Sequence, residues 1–169
     1  RRAVLSVCFS CDGTQIATGC ADMHARVFSV SSITRTDEKP SNNKLVFKLR
    51  LRKKHEDKVT SVGFSFDGRR IVTGSDGGFA RIFDIDTKQE MLKTFAFKGK
   101  VIVCFSPDDT SIATGSEDKC IRVFDIATGS AHETLKSVEF GIITSVMFSQ
   151  DGGKIVIGSK DNHARIVNV

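Results

Sequence analysis

Two pairs of residues have types and spacings that could do chemistry. Cys8 and Cys11 form a Cys-x-x-Cys pair, as found in redox and zinc sites. Cys20 and His24 combine a possible nucleophile with a possible base. A zinc site needs further ligands and a catalytic pair needs a carboxylate that orients the histidine, and the pattern supplies neither. We therefore predict no catalytic site, no zinc site and no cofactor.

A strongly basic stretch spans residues 35–54. It contains eight lysines and arginines against Asp37 and Glu38, so it accounts for the net charge of +5 of the whole chain. Two interpretations are open: a patch that binds an acidic protein segment or a nucleic-acid backbone, or a charged outer strand that resists edge-to-edge pairing. The candidate contact residues are Lys44, Lys48, Arg50, Arg52, Lys53 and Lys54.

One sequence pattern recurs four times along the chain. Its Phe-Ser pairs are 55, 41 and 43 residues apart, and each is followed by an isoleucine, a glycine and an arginine in the same order. A unit of this length cannot bury its own apolar face, so the copies must pack against one another. The Phe-Ser pairs begin at Phe9, Phe64, Phe105 and Phe148, and the arginines are Arg26, Arg81, Arg122 and Arg165.

Each copy predicts three or four short antiparallel strands and almost no helix. Short segments of alternating apolar residues are separated by turns of the Asp-Gly type. The copies span about 3–51, 55–96, 97–137 and 138–169, within a single domain of residues 1–169, with a loop insertion at 31–43. The third copy is one residue shorter ahead of Phe105, so we expect it to lack a bulge that the others have.

The repeat resembles the WD40 repeat of β-propellers, which have four strands per blade and about 40 to 45 residues per repeat. Phe83-Asp84 and Phe124-Asp125 stand where that family has Trp-Asp, and Lys54-His55 stands where it has Gly-His. The resemblance implies an all-β WD40 propeller with four visible blades, part of a ring of about seven or eight. Further blades would come from further sequence, a partner chain or a second copy.

The family's buried hydrogen-bonded set of His, turn Asp, Ser or Thr, and Trp is incomplete in every copy. The second copy has His55 and Thr73 but carries Gly77 at the turn and Phe83 for the Trp. Packed apolar layers must therefore supply more of the stability. We predict Phe64, Phe105, Phe83 and Phe124 as core residues between adjacent sheets, and we expect the four repeated arginines to point away from the packed side.

The resemblance implies a non-enzymatic scaffold that binds other proteins or peptides within a multi-subunit complex. The WD40 family makes many partner contacts on the narrow top face of the propeller, at three positions per blade. The alternative is a nucleic-acid- or chromatin-associated subunit that uses residues 35–54, similar to WD40-type transcriptional corepressors. The predicted top-face positions are Ala3, Leu5 and Ala21; Lys58, Thr60 and Asp76; Gly99, Val101 and Glu117; and Ile142, Thr144 and Lys160.

The bulk composition predicts an intracellular protein, cytoplasmic or nuclear. The five cysteines are odd in number and do not form a paired framework, which favours a reducing compartment. No apolar run approaches the roughly 20 residues needed to cross a bilayer, and no signal peptide is recognisable. Because Arg1 stands where an initiator Met would be, we expect a processed or truncated segment.

Overall fold

A computed structural model of the protein describes residues 2–30, 45–50, 55–94, 98–136 and 141–169, with the backbone alone described at 45–50 and 133–136. Within these ranges the chain forms β-strands joined by turns, and no helix is present. It follows that no helix in the described ranges is long and apolar enough to span a membrane. The all-β prediction is confirmed.

The strands form four consecutive antiparallel sheets, each built from neighbours in sequence order. The first sheet contains β1 (Val4–Phe9), β2 (Gln15–Cys20), β3 (Ala25–Val30) and β4 (Leu45–Arg50). The second contains β5 (Val59–Phe64), β6 (Arg70–Ser75), β7 (Ala80–Asp84) and β8 (Glu90–Lys93). The third contains β9 (Val101–Phe105), β10 (Ser111–Ser116), β11 (Cys120–Asp125) and β12 (Ala131–Lys136). The fourth contains β13 (Ile143–Phe148), β14 (Lys154–Ser159) and β15 (Ala164–Asn168).

The first strand of each sheet packs beside the first strand of the next, so the sheets follow one another like blades. We call the end at which β1, β5, β9 and β13 begin the top face, and the end at which they finish the bottom face. The insertion predicted at 31–43 lies outside the described residues.

Three of the four first strands contain a bulge near the top face. The register shifts between Val4 and Ser6 in β1, between Val59 and Ser61 in β5, and between Ile143 and Ser145 in β13. Strand β9 pairs with β10 without any shift. The predicted loss of a bulge in the third copy is confirmed, because its strand has one residue fewer to place between the top turn and Phe105.

Apolar side chains fill each space between adjacent sheets. Between the first and second sheets, Val27 packs with Val59, Ile71 and Phe83, and similar clusters lie at the two later boundaries. Phe83 and Phe124 are buried, which confirms their prediction as core residues. Phe64 and Phe105 are partly buried and pack against the same clusters.

The repeated glycines let neighbouring sheets approach closely. A Cβ atom on Gly74 would lie 2.3 Å from the carbonyl oxygen of Val101, and one on Gly115 would lie 2.4 Å from Cγ2 of Ile143. Both partners belong to the next sheet, so a side chain at either position must push two blades apart. The same steric demand applies to Gly19, which faces Val59, whereas a Cβ atom on Gly158 would meet Ser145 of its own sheet.

We expect Gly74→Ala to lower the free energy of unfolding by about 1–3 kcal/mol, since a backbone oxygen cannot yield as a flexible side chain can. Gly153→Ala is the matched control, because its Cβ would meet nothing closer than 3.7 Å. Urea unfolding monitored by circular dichroism measures both. Equal stability of the two variants would contradict the close approach of the sheets.

Candidate functional site

Three of the four repeated arginines pair with the aspartate of the preceding top-face turn. The closest nitrogen–oxygen distances are 2.5 Å for Arg26–Asp22, 2.8 Å for Arg122–Asp118 and 2.7 Å for Arg165–Asp161. The hydrogen bond from Arg26 holds the pKa of Asp22 below its ordinary value. These arginines therefore stabilise the top-face turns. The pairs could have been predicted from the sequence, because in each of these three copies an aspartate precedes the arginine by four residues.

In the second sheet, a larger polar cluster around Arg81 stands in place of this Asp–Arg pair. Gly77 stands at the turn, and Arg81 reaches Glu56 at 3.2 Å and Glu90 at 3.6 Å. The expectation that all four arginines point away from the packing is wrong for Arg81, whose side chain is 2% exposed. Because Gly77 supplies no carboxylate at the turn position, the guanidinium of Arg81 pairs instead with Glu56, at the start of the copy, and with Glu90 on β8.

His55 lies beneath this cluster, beside the core. The hydroxyl of Thr73 donates to the carbonyl oxygen of Arg81 at 3.3 Å and lies 3.1 Å from Nε2 of His55. The ring of His55 meets that of Phe83 edge-on, with centroids 6.1 Å apart. Phe83 thus occupies the place of the Trp, and its ring, which has no N–H donor, packs against the ring of His55.

Burial of His55, followed by the nearby positive charge of Arg81, lowers the pKa of the imidazole to about 3. An unfolded histidine titrates near 6.5. The neutral ring therefore contributes stability that is fully present above about pH 6.5 and is lost as the pH falls toward 3.

We expect the free energy of unfolding to fall by about 2 kcal/mol between about pH 6.5 and 5, at about 1.4 kcal/mol per pH unit. Urea titrations at both pH values measure it. His55→Gln removes most of this slope, whereas His163→Gln keeps it because the side chain of His163 is largely exposed. An unchanged slope in His55→Gln would contradict the assignment.

Cys8 and Cys20 lie on strands β1 and β2, and Cys11 lies in the turn between these strands. Burial raises the pKa of Cys8 to about 11 and that of Cys104 to about 12, so both thiols are protonated at neutral pH. The Nδ1 atom of His24 lies 2.8 Å from the backbone oxygen of Asp22, which fixes the ring within its own turn. No group of three or more potential metal ligands occurs among the described residues.

The bulges present three predicted contact residues on the top face. Leu5, Thr60 and Thr144 are the extra residues at the three register shifts. Two bulges are also tied to the next sheet, because the hydroxyl of Ser6 accepts the amide of Val62 at 3.2 Å and that of Ser61 accepts the amide of Val103 at 3.1 Å. These bonds hold neighbouring contact positions in a fixed relation.

The other predicted top-face positions differ in exposure. Leu5, Lys58, Glu117, Thr144 and Lys160 are exposed, as is Ala3, whereas Ala21, Thr60, Asp76 and Ile142 are partly exposed. Val101 is fully buried, so its prediction as a contact residue is wrong. It pairs with Ser116 as Val59 pairs with Ser75, because the third copy has no bulge residue. Lys100, rather than Gly99, is therefore the counterpart of Lys58.

Part of the basic stretch can be placed on the fold. Lys48 and Arg50 belong to β4, the outer strand of the first sheet, where Arg50 lies opposite Arg26. Lys44, Arg52, Lys53 and Lys54 lie outside the described residues.

Comparison with protein-family models gives one match, to the WD domain, G-beta repeat. It covers residues 1–29, 44–84, 90–125 and 126–168, which is most of the chain; each segment after the first runs from the fourth strand of one sheet to the third strand of the next. The chain belongs to the WD40 family. The four sheets are WD40 blades, with β1, β5, β9 and β13 as their first strands. No curated protein matches the chain.

Membership of the WD40 family indicates the general role of this kind of domain. WD40 domains are typically interaction modules without catalytic activity, and they bind other proteins. In this WD40 chain three of the four top-face turns carry an Asp–Arg ion pair, and three first strands have a bulge near the same face.

Proposed function

We propose that the protein is a non-enzymatic scaffold that binds a protein or peptide partner on its top face, as a subunit of a larger complex. The observation that carries this proposal is the set of three bulges at one end of the blades, where Leu5 and Thr144 are exposed and Thr60 is half-buried. A bulge changes the direction of the side chains at that point, relative to those of a regularly paired strand. The surrounding residues include both charge signs, as in Lys58 and Glu117, which suits a peptide better than a uniformly charged polymer.

The proposal predicts that charge introduced at the bulges removes the partner. Tagged wild type and the double variant Leu5→Asp, Thr144→Asp are purified from the source cell, and the bound proteins are quantified by mass spectrometry. The matched control is Met91→Asp on β8, an exposed apolar residue away from the top face. Loss of the same proteins from the bulge variant and not from the control is expected, while identical profiles would refute the proposal.

The second candidate function is binding of nucleic acid, or of an acidic protein segment, at residues 35–54. It is favoured by the concentration of basic residues there, two of which lie on β4. Contact with several phosphates makes affinity fall steeply with salt. A partner whose affinity falls steeply with salt, and that is lost on Lys48→Glu, Arg50→Glu, would favour this alternative over top-face binding.

We also propose that the four blades belong to a ring of about seven or eight. Val7 and Phe9 on the first blade are 66% and 63% exposed, and Ile166 on the last is 69% exposed. Their counterparts Val62 and Ile82 are buried between blades. Such apolar flanks need cover from another blade. The free cysteines of the described part are consistent with a reducing intracellular location, cytoplasmic or nuclear.

Light scattering of the 169-residue chain tests the ring. Exposed flanks predict association, either into a compact dimer or into larger aggregates. A soluble monomer with a cooperative thermal transition would contradict this expectation.

A further inference from the structure

Two adjoining cavities open on the bottom face, opposite the proposed top-face site, and the larger one is mainly apolar. The larger, about 440 Å³, is lined chiefly by Phe66, Phe105, Pro107, Met147 and Phe148. The smaller, about 200 Å³, lies on the other side of Phe66 and reaches Phe9 in the first blade. A volume of a few hundred cubic ångströms is in the range of ligand-binding clefts. Together they form a groove across the ends of the first strands, which we call the bottom groove.

Phe66 lines both cavities, together with Phe105 and Pro107, and its residue type departs from the repeat. It begins the turn after β5, where the other copies have Cys11, Pro107 and Gln150. Its side chain is 64% exposed although it lies between two internal blades. A rigid aromatic ring on an open surface is a typical anchor for a binding partner.

Asp109 of the third blade holds this turn in place. Its carboxylate accepts the backbone amides of Phe66 at 2.7 Å and Asp67 at 2.9 Å, and its carbonyl accepts a bond from Arg70 at 3.2 Å. Asp109 has a φ of 59°, in the left-handed region, where Gly13, Gly68 and Gly152 occupy the equivalent place in the other copies. A strained non-glycine residue that binds the neighbouring turn fixes the position of Phe66.

Carboxylates follow each turn residue that lines the groove. Asp12 comes after Cys11, Asp67 after Phe66, Asp108 after Pro107 and Asp151 after Gln150. Hydrogen bonds from the adjacent serines hold the pKa values of Asp12, Asp108 and Asp151 below the ordinary range, so these groups are ionised at neutral pH. Among the described residues of these four turns, Arg69 and Lys154 are the exposed bases, and Arg70 is bound to Asp109 and lies over the ring of Phe105.

We propose that the bottom groove is a second docking site, for an extended peptide that inserts one bulky apolar side chain beside Phe66 and places lysine or arginine against the aspartates. The apolar lining of the groove favours the bulky apolar side chain of the peptide. The aspartates favour the lysine or arginine residues on either side of it, because the charges are complementary. Asp109 acts as a positioning residue, because it touches the turn of Phe66 and holds the ring at the groove. This surface does not overlap the top-face bulges, so each site can fail without the other.

The test uses three fluorescein-labelled probes on the full chain, measured by fluorescence anisotropy: Gly-Lys-Phe-Lys-Gly, Gly-Glu-Phe-Glu-Gly and Gly-Lys-Ser-Lys-Gly. We expect the first to bind about tenfold more tightly than either other probe. Phe66→Ser weakens that binding about tenfold, whereas Met91→Ser changes it less than about twofold. Asp109→Gly weakens it severalfold, because glycine keeps the left-handed backbone conformation but removes the carboxylate that accepts the amides of Phe66 and Asp67.

Several outcomes would overturn the proposal. Equal binding of the Lys- and Glu-flanked probes would show that the aspartates do not select basic residues of the peptide. Undiminished binding to Phe66→Ser, or no binding of the first probe, would show that the bottom groove is not a docking site. Preferential binding of a single-stranded oligonucleotide would assign the aromatic surface to base stacking instead. Leu5→Asp serves as the cross-check, because it should leave probe binding unchanged whether or not the top-face proposal holds.

Discussion

Phe83→Ala is expected to lower the free energy of unfolding by about 3–5 kcal/mol. The ring is 1% exposed and packs with Val27, Val59 and Ile71 between the first two blades. Truncation removes apolar surface from the core and leaves a cavity where other WD40 blades have a larger ring. Urea unfolding monitored by circular dichroism gives the difference.

Phe66→Ala is the matched control, since it deletes the same ring from a turn between internal blades at a position that is 64% exposed. Its expected cost is below about 1 kcal/mol. If the two substitutions destabilise the chain equally, the assignment of faces on the blades is wrong.

Arg81→Ala is expected to cost about 3 kcal/mol, far more than the same change at any other repeated arginine. Its guanidinium is almost fully buried and faces Glu56 and Glu90, while its Cζ lies 5.8 Å from the centroid of the Phe79 ring. Removing it takes the compensating cation away from Glu90, whose side chain is only 15% exposed. The same unfolding measurement gives the loss.

Arg122→Ala provides the comparison within the repeat. Its ion pair with Asp118 lies nearer the surface, with both side chains about one-fifth exposed, so about 1 kcal/mol is expected. Equal losses in the two variants would show that the second blade is not held differently from its neighbours.

The strand pattern was predictable because each strand has its own period-two alternation and each turn its own Asp-Gly chemistry. The lost bulge at the third copy was predictable by counting residues ahead of Phe105. Counting residues did not show that Val101 is buried. Which position lacks a residue depends on the register in which β9 pairs with β10.

The cluster around Arg81 could not be predicted in the same way. Glu56 precedes β5 and Glu90 begins β8, so their meeting depends on how strands from distant parts of the copy come together. The clamp from Asp109 to the turn of Phe66 likewise crosses between two blades. Such contacts depend on tertiary packing, whereas sequence patterns report mainly on the local backbone.

Site-specific photo-crosslinking in the source cell tests the top-face scaffold most directly. A photoreactive amino acid replaces Leu5, Thr60 or Thr144 at the bulges, or Lys88 in the bottom-face turn before β8 as an exposed control. The account predicts that the three bulge positions yield crosslinks to the same partner protein and that position 88 yields none to it. Crosslinks to that partner at position 88 as strong as those at the bulges, or no protein crosslink at any bulge, would contradict it.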